Sequence, residues 1–337
     1  DRDPAAVFAE VFSAMSRGMR RASADGLGVC WDWGWNEDEA LRAIPLLPKG
    51  EAFMAMSEKG LTTVTGGVTN EVREYAISRI GPSARAEREF AAAKAAGLKV
   101  IAKVQPGASW EFAPVPSIPV PALVREHAER IAATEADGVM LSWTCGSYPS
   151  ANLRVFCDWP KRWPVGVARS DDRLSAAFRA YPYNGGTLYC GNQHMGPGNP
   201  LYPKATGRLA TMTGIPYDNL QRWVGNIPTN AWIEAMEKVA AGSDGLMALH
   251  FRSAADQARF VVARDAGAVH EMRRLAAREC ATAKAAMEEL CRDSRNGYEL
   301  DNGYFYNLQD LREKILGCSL IAEGGFDQSL DHFARGR

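Results

Sequence analysis

Four short stretches place side chains capable of acid–base or sugar chemistry immediately after apolar runs. Cys30-Trp31-Asp32-Trp33-Gly34-Trp35 sets one carboxylate among three indoles. Indoles stack on the apolar faces of sugar rings, and a carboxylate grips hydroxyls or transfers protons. Asp32 equally suits a cap of the following helix, with Trp31 and Trp33 in the core. Met54-Ala55-Met56-Ser57-Glu58-Lys59-Gly60 presents Glu58 past a second run, either as a working carboxylate or as a loop residue beside Lys59. Lys103-Val104-Gln105 leads to Ser109-Trp110-Glu111-Phe112 and a loop stiffened by Pro114, Pro116, Pro119 and Pro121. An apolar wall such as Trp110 raises a carboxyl's pKa and suits Glu111 to donate a proton, whereas an ion pair with Lys103 would make Glu111 structural. The fourth stretch, Leu141-Ser142-Trp143-Thr144-Cys145-Gly146-Ser147-Tyr148, adds Trp143 and Tyr148.

An aromatic and carboxylate rim suits a carbohydrate. The catalytic candidates are Asp32, Glu58 and Glu111; the binding candidates are Trp31, Trp33, Trp35, Gln105, Trp110, Trp143 and Tyr148. Asn192 joins them from Asn192-Gln193-His194-Met195-Gly196-Pro197-Gly198-Asn199, which either offers hydrogen bonds with close backbone approach or forms a tight structural loop. Asp293-Ser294-Arg295-Asn296-Gly297-Tyr298-Glu299, with Tyr304-Phe305-Tyr306, has the composition of a helix junction whose charges pair locally. Gly66-Gly67 and Gly185-Gly186 lack phosphate-cradling spacing, so no nucleotide cofactor is expected. The five histidines fall at no ligand spacing, so no metal is expected either. G-x-S-x-G is absent, and Cys145 has no recognisable base.

The elements that must position these residues alternate through the first 150 positions. Apolar strand runs at Leu27 to Trp33, Ala52 to Ser57, Val100 to Gln105 and Gly138 to Trp143 enclose helical patterns at Ala84 to Ala96 and Pro121 to Thr134. This is the pattern of βα units and a parallel sheet, whose ligands bind at the strands' carboxyl ends. The short run Leu61 to Val64 extends the second unit. Residues 1–150 are therefore expected to form a parallel βα portion of a TIM-type barrel. A Pro-, Gly- and aromatic-rich segment, 151–228, then covers the site, and 229–337 form an α-helical domain. Its helices are placed at Thr229 to Ala241, Ser253 to Arg292 and Asn307 to Gly317. Four strand runs are half of an eight-stranded barrel, so the remainder lies in an upstream half or a partner, including a homo-oligomer, or the sheet is open.

The chain has 337 residues, 39 Lys plus Arg against 40 Asp plus Glu, and a net charge of -1, which leaves no basic footprint for nucleic acid or anionic lipid. No apolar run approaches a membrane span. Seven scattered cysteines and no visible signal pattern tilt the expected compartment to the cytoplasm.

The succession WDWGW, MSEKG, KVQPGASWE and GVMLSWTCGSYPS, with HFRSAADQARF and DSRNGYE in a helical tail, resembles the C-terminal half of bacterial proteins related to family 20 glycoside hydrolases, the β-N-acetylhexosaminidase-like barrels. That resemblance implies an N-acetyl sugar pocket containing Trp31, Trp110 and Trp143. It also implies a catalytic Asp-Glu pair upstream of this chain's first strand, and no such pair stands at a strand end here. The expected activity is cleavage of a glycosidic bond by carboxylate acid–base chemistry. A non-catalytic carbohydrate-binding or scaffold protein is the alternative.

Overall fold

The computed structural model describes residues 2–107, 111–112, 115, 118–142, 150–157, 172–185, 195–208, 217–299, 303–304 and 306–325. Helix α1 (Pro4–Ala22) is capped by Asp3 and leads to β1 (Val29–Trp31), α2 (Glu37–Ala43) and β2 (Ala52–Met56). The Leu61 to Val64 run forms a hairpin arm rather than an extension of the sheet. Strands β3 (Thr62–Thr65) and β4 (Val68–Glu71) pair antiparallel across Gly66-Gly67, both at positive φ. An irregular, mostly buried strap, residues 72–83, follows. Then come α3 (Ala84–Ala95), β5 (Lys99–Val104), α4 (Pro121–Ala133) and β6 (Gly138–Leu141).

Strands β1, β2, β5 and β6 form one parallel sheet in that spatial order, so each pairs with the strand of the preceding unit. The register aligns Trp31 with Met54 and Ile101, and Met56 with Lys103 and Met140. Side chains alternate across a sheet. Cys30, Phe53, Ala55, Val100 and Ala102 therefore share one face, and they belong to the same buried core as Ala40, Ile44, Ala86, Phe90 and Leu123 of the helices. The opposite face carries Val29, Trp31, Met54, Ile101, Lys103 and Met140, and Val29 and Met140 on it are 41% and 49% exposed.

Beyond the sheet lie α5 (Ala151–Cys157), α6 (Asp172–Phe178) and α7 (Leu220–Val224). A helical region follows: α8 (Thr229–Gly242), α9 (Gly245–Asp265), α10 (Val269–Arg292), the short hairpin β7 (Tyr298–Glu299) and β8 (Gly303–Tyr304), and α11 (Leu308–Glu323). The helical run expected from Ser253 to Arg292 is two helices, divided where Gly267 takes φ +67°. The N-cap of α8 is Pro228, and Thr229 is its first helical residue. At the junction after α10, Asp293 pairs with Arg295 at 2.7 Å, the local pairing expected there. Among the described cysteines, Cys30, Cys280 and Cys318 are buried free thiols and Cys291 is exposed. No described helix is long and apolar enough to cross a membrane.

Candidate functional site

The turn after β1 folds Asp32 inward. Its amide donates to Met54 O at 3.0 Å and its carbonyl accepts from Trp35 N at 3.0 Å, while Gly34 adopts φ +82°. The chain then enters α2 through a capping box between Asn36 and Glu39. The buried Asp32 carboxylate accepts the Met56 amide at 3.2 Å and lies 3.5 Å from both Lys59 Nζ and Arg85 Nη2. Arg85 also holds Glu89 at 2.8 Å. Two cations and two carboxylates thus close on one another. Burial raises Asp32, against the pull of Lys59 and Arg85, and it raises Glu89 to about 7. The Trp35 carbonyl accepts from Lys59 at 2.7 Å and Arg85 at 3.0 Å, and its ring meets Phe8 edge-on at 4.4 Å. Asp32 and Trp35 accordingly brace α1, β1, β2 and α3. In the single chain, the Asp32 carboxylate is committed to these partners and the Trp35 ring to α1.

Glu58, the neighbour of Lys59, joins a different set. Its Oε2 accepts from Ser57 Oγ at 3.0 Å, and its Oε1 lies 3.4 Å from the Gln105 amide. The same Ser57 hydroxyl meets His127 Nε2 of α4 at 2.8 Å. Gly81 of the strap presses on this group: a Cβ there would lie 2.6 Å from Ser57 O and 2.9 Å from His127 Nε2. Burial pushes Glu58 up to about 8, and the charge of Glu111 adds to the rise. Burial pushes His127 down to about 3, helped by Arg130. At neutral pH Glu58 therefore carries a proton and the imidazole is uncharged.

Glu111 is also fully buried, but its oxygens accept from the Ile77 amide at 2.7 Å, the Ser78 amide at 3.1 Å and the Ser78 hydroxyl. These donors tie the loop after β5 to the strap. Among the described residues Glu111 forms no ion pair with Lys103, and its hydrogen bonds anchor it to the strap. Arg79 secures the strap from the other side by donating to Arg179 O at 2.7 Å and Tyr181 O at 2.9 Å.

Lys103 points its ammonium between the rings of Trp31 and Tyr75, 5.7 Å from each centroid, and donates to Ser142 O. Desolvation lowers its pKa and Glu58 opposes the fall. Trp31 lies 6.0 Å from the Trp33 ring, which is 54% exposed. Trp31, Glu58, Lys103 and Gln105 are therefore gathered at one end of the sheet, with Trp33 at its margin. Trp110, Trp143, Tyr148 and Asn192 lie outside the described residues.

The loop Met195-Gly196-Pro197-Gly198-Asn199 is fixed from the helical region. Gln257 donates to Gly196 O at 2.7 Å, Asn199 donates to Gln257 Oε1 at 2.8 Å, and Lys314, paired with Glu279 at 2.8 Å, donates to Asn199 O. Ser57 and His127 are site residues that the sequence does not single out. Their signals were a hydroxyl beside a strand-end glutamate, and a histidine on the apolar face of α4 with Leu123, Val124 and Ile131. No group of three or more potential metal ligands occurs among the described residues. No family model and no curated protein matches this chain.

Proposed function

We propose that the four-stranded sheet is half of a (β/α) barrel whose strand-end rim acts on a glycoside, with Glu58 as the proton donor. The supporting observation is a carboxyl held neutral up to about 8 at the carboxyl end of a parallel sheet, beside the Trp31–Trp33 indole pair. A neutral Glu58 gives its proton to the glycosidic oxygen as the bond to the anomeric carbon breaks, and water adds at that carbon while its released proton returns to the Glu58 carboxylate. Attack from the substrate's own acetamido group would need no second carboxylate, consistent with the resemblance to N-acetylhexosaminidase-like barrels.

A second reading, sugar binding without hydrolysis, is favoured by the commitments of Asp32 to Lys59 and Arg85 and of Glu111 to the strap amides. Assay of the full chain on nitrophenyl glycosides, including β-N-acetylglucosaminide, separates the two. The hydrolase reading expects turnover that falls above about pH 8, and its loss in Glu58→Gln with binding retained. Full activity in Glu58→Gln would remove Glu58 from the mechanism. Binding without turnover on any glycoside would leave the binding module.

A further inference from the structure

We propose that the saccharide held at this rim carries a carboxylate, received by Lys103 and the indole N–H of Trp31. The inference rests on the carbohydrate reading above and names its substrate class. Three other cations at this end of the sheet have their partners: Lys59 and Arg85 face Asp32, Arg85 also faces Glu89, and Arg79 donates to three carbonyls. Lys103 differs. It is 3% exposed, has no carboxylate within ion-pair range among the described residues, and uses one of its three N–H donors on Ser142 O. The aromatic faces on either side attract its charge without accepting a conventional hydrogen bond.

Trp31 Nε1 is buried as well, with no acceptor. Buried donors without acceptors are costly and uncommon, so two of them side by side on one sheet face call for an explanation. The register supplies their proximity: Trp31 aligns through Met54 with Ile101, two residues before Lys103 on the same face. Their partner must bring acceptors and one negative charge. A neutral sugar brings acceptors alone. A phosphate is the poorer match, because the sequence has no glycine-rich turn of phosphate-binding spacing. A single carboxylate on a sugar ring meets both requirements, and the Trp31–Trp33 pair is left to stack on the ring.

The test is binding of methyl β-glucuronide and methyl β-glucoside to the full chain by titration calorimetry or saturation-transfer NMR. The expected result is at least tenfold preference for the glucuronide, lost in Lys103→Met and retained in Lys103→Arg. Trp31→Phe, which keeps a ring and removes the donor, should weaken glucuronide binding several-fold more than glucoside binding. That variant decides the matter if Lys103→Met fails to fold. Equal binding of the two sugars, binding of the glucoside alone, or an unchanged preference in both Lys103→Met and Trp31→Phe would overturn the proposal. Parallel assay on nitrophenyl glucuronide and glucoside keeps the questions apart. Hydrolysis of the neutral glycoside alone sinks the carboxylate and leaves the hydrolase, whereas glucuronide binding without any hydrolysis does the reverse.

Discussion

Glu58 and Lys59 are consecutive residues that leave the end of β2 for two unlike environments. Lys59 enters a closed set in which Asp32, Glu89, Arg85 and Lys59 neutralise one another. Glu58 enters a buried set with Ser57 and His127, where neither titrating group carries charge at neutral pH. Burial alone therefore does not determine what a titratable group does. With an opposite charge in reach it becomes a brace, and without one it keeps or loses a proton and becomes available for chemistry.

The largest expected effect falls on the brace. Asp32→Ala strands Lys59 and Arg85 in the interior and should cost about 3–5 kcal/mol of unfolding free energy in urea titrations. Glu58→Gln, which mimics an acid already protonated at pH 7, should cost under about 1 kcal/mol. Equal costs would erase the distinction between the sets.

The pH dependence of stability sharpens it. Glu58 holds its proton up to about 8 in the fold, against 4.5 ordinarily, so its contribution is complete below pH 4.5 and is lost as pH rises toward 8. His127, lowered from 6.5 to about 3, acts oppositely: its contribution is complete above 6.5 and is lost as pH falls toward 3. The two cancel between 4.5 and 6.5, where Glu89, raised from 4.5 to about 7, and Asp256, raised to about 6, leave a shallow decline. Above 6.5 His127 no longer offsets Glu58, and the decline steepens by a limiting slope of about 1.4 kcal/mol per pH unit. Glu89, raised to about 7, adds to the same limb, so Glu58→Gln should reduce that limb without abolishing it. An unchanged alkaline limb in that variant would mean Glu58 is ionised in the fold.

Gly81→Ala should cost about 1–3 kcal/mol, because the added methyl meets the Ser57 carbonyl and the imidazole. If Glu58 depends on that contact, the variant also shifts the alkaline limb. The smallest effect is a reference for the brace side: Asn36→Ala removes the cap of α2 and should cost about 1 kcal/mol without moving either limb.

The parallel sheet was legible because strand bodies buried on both faces are nearly continuous apolar runs, and helical periods separate them. The hairpin was obscured because β4 runs Val68-Thr69-Asn70-Glu71, polar at three successive positions, although Gly66-Gly67 is a turn signal. Gly267 within a helical pattern costs only about 1 kcal/mol, too little to mark a boundary by itself. The strap from 72 to 83 has no period to read, since carboxylate and guanidinium contacts far away in sequence hold it. Arg85 and Glu89 have the i,i+4 spacing of a solvated helix pair, and only the turn after β1 makes them interior. Which strand-end carboxylate keeps its proton was equally hidden. Glu58 and Glu111 are both buried, and nothing in the sequence shows that the strap brings the Ile77 and Ser78 amides to Glu111 or that the Ser57 hydroxyl meets Glu58.

The strap's clamp also bears on the order of assembly. The sheet's pairings join neighbouring βα units and are complete once residue 141 has been made. Arg79 finds the Tyr181 carbonyl 102 positions later in the chain, and Lys314 reaches back 115 positions to Asn199. Contacts between distant positions bear a larger loop-closure cost and tend to form late. Glu58 is therefore expected to behave as an ordinary wetted carboxylate until the strap is drawn down and Gly81 seats against Ser57, which ties acid strength at this rim to a late closure.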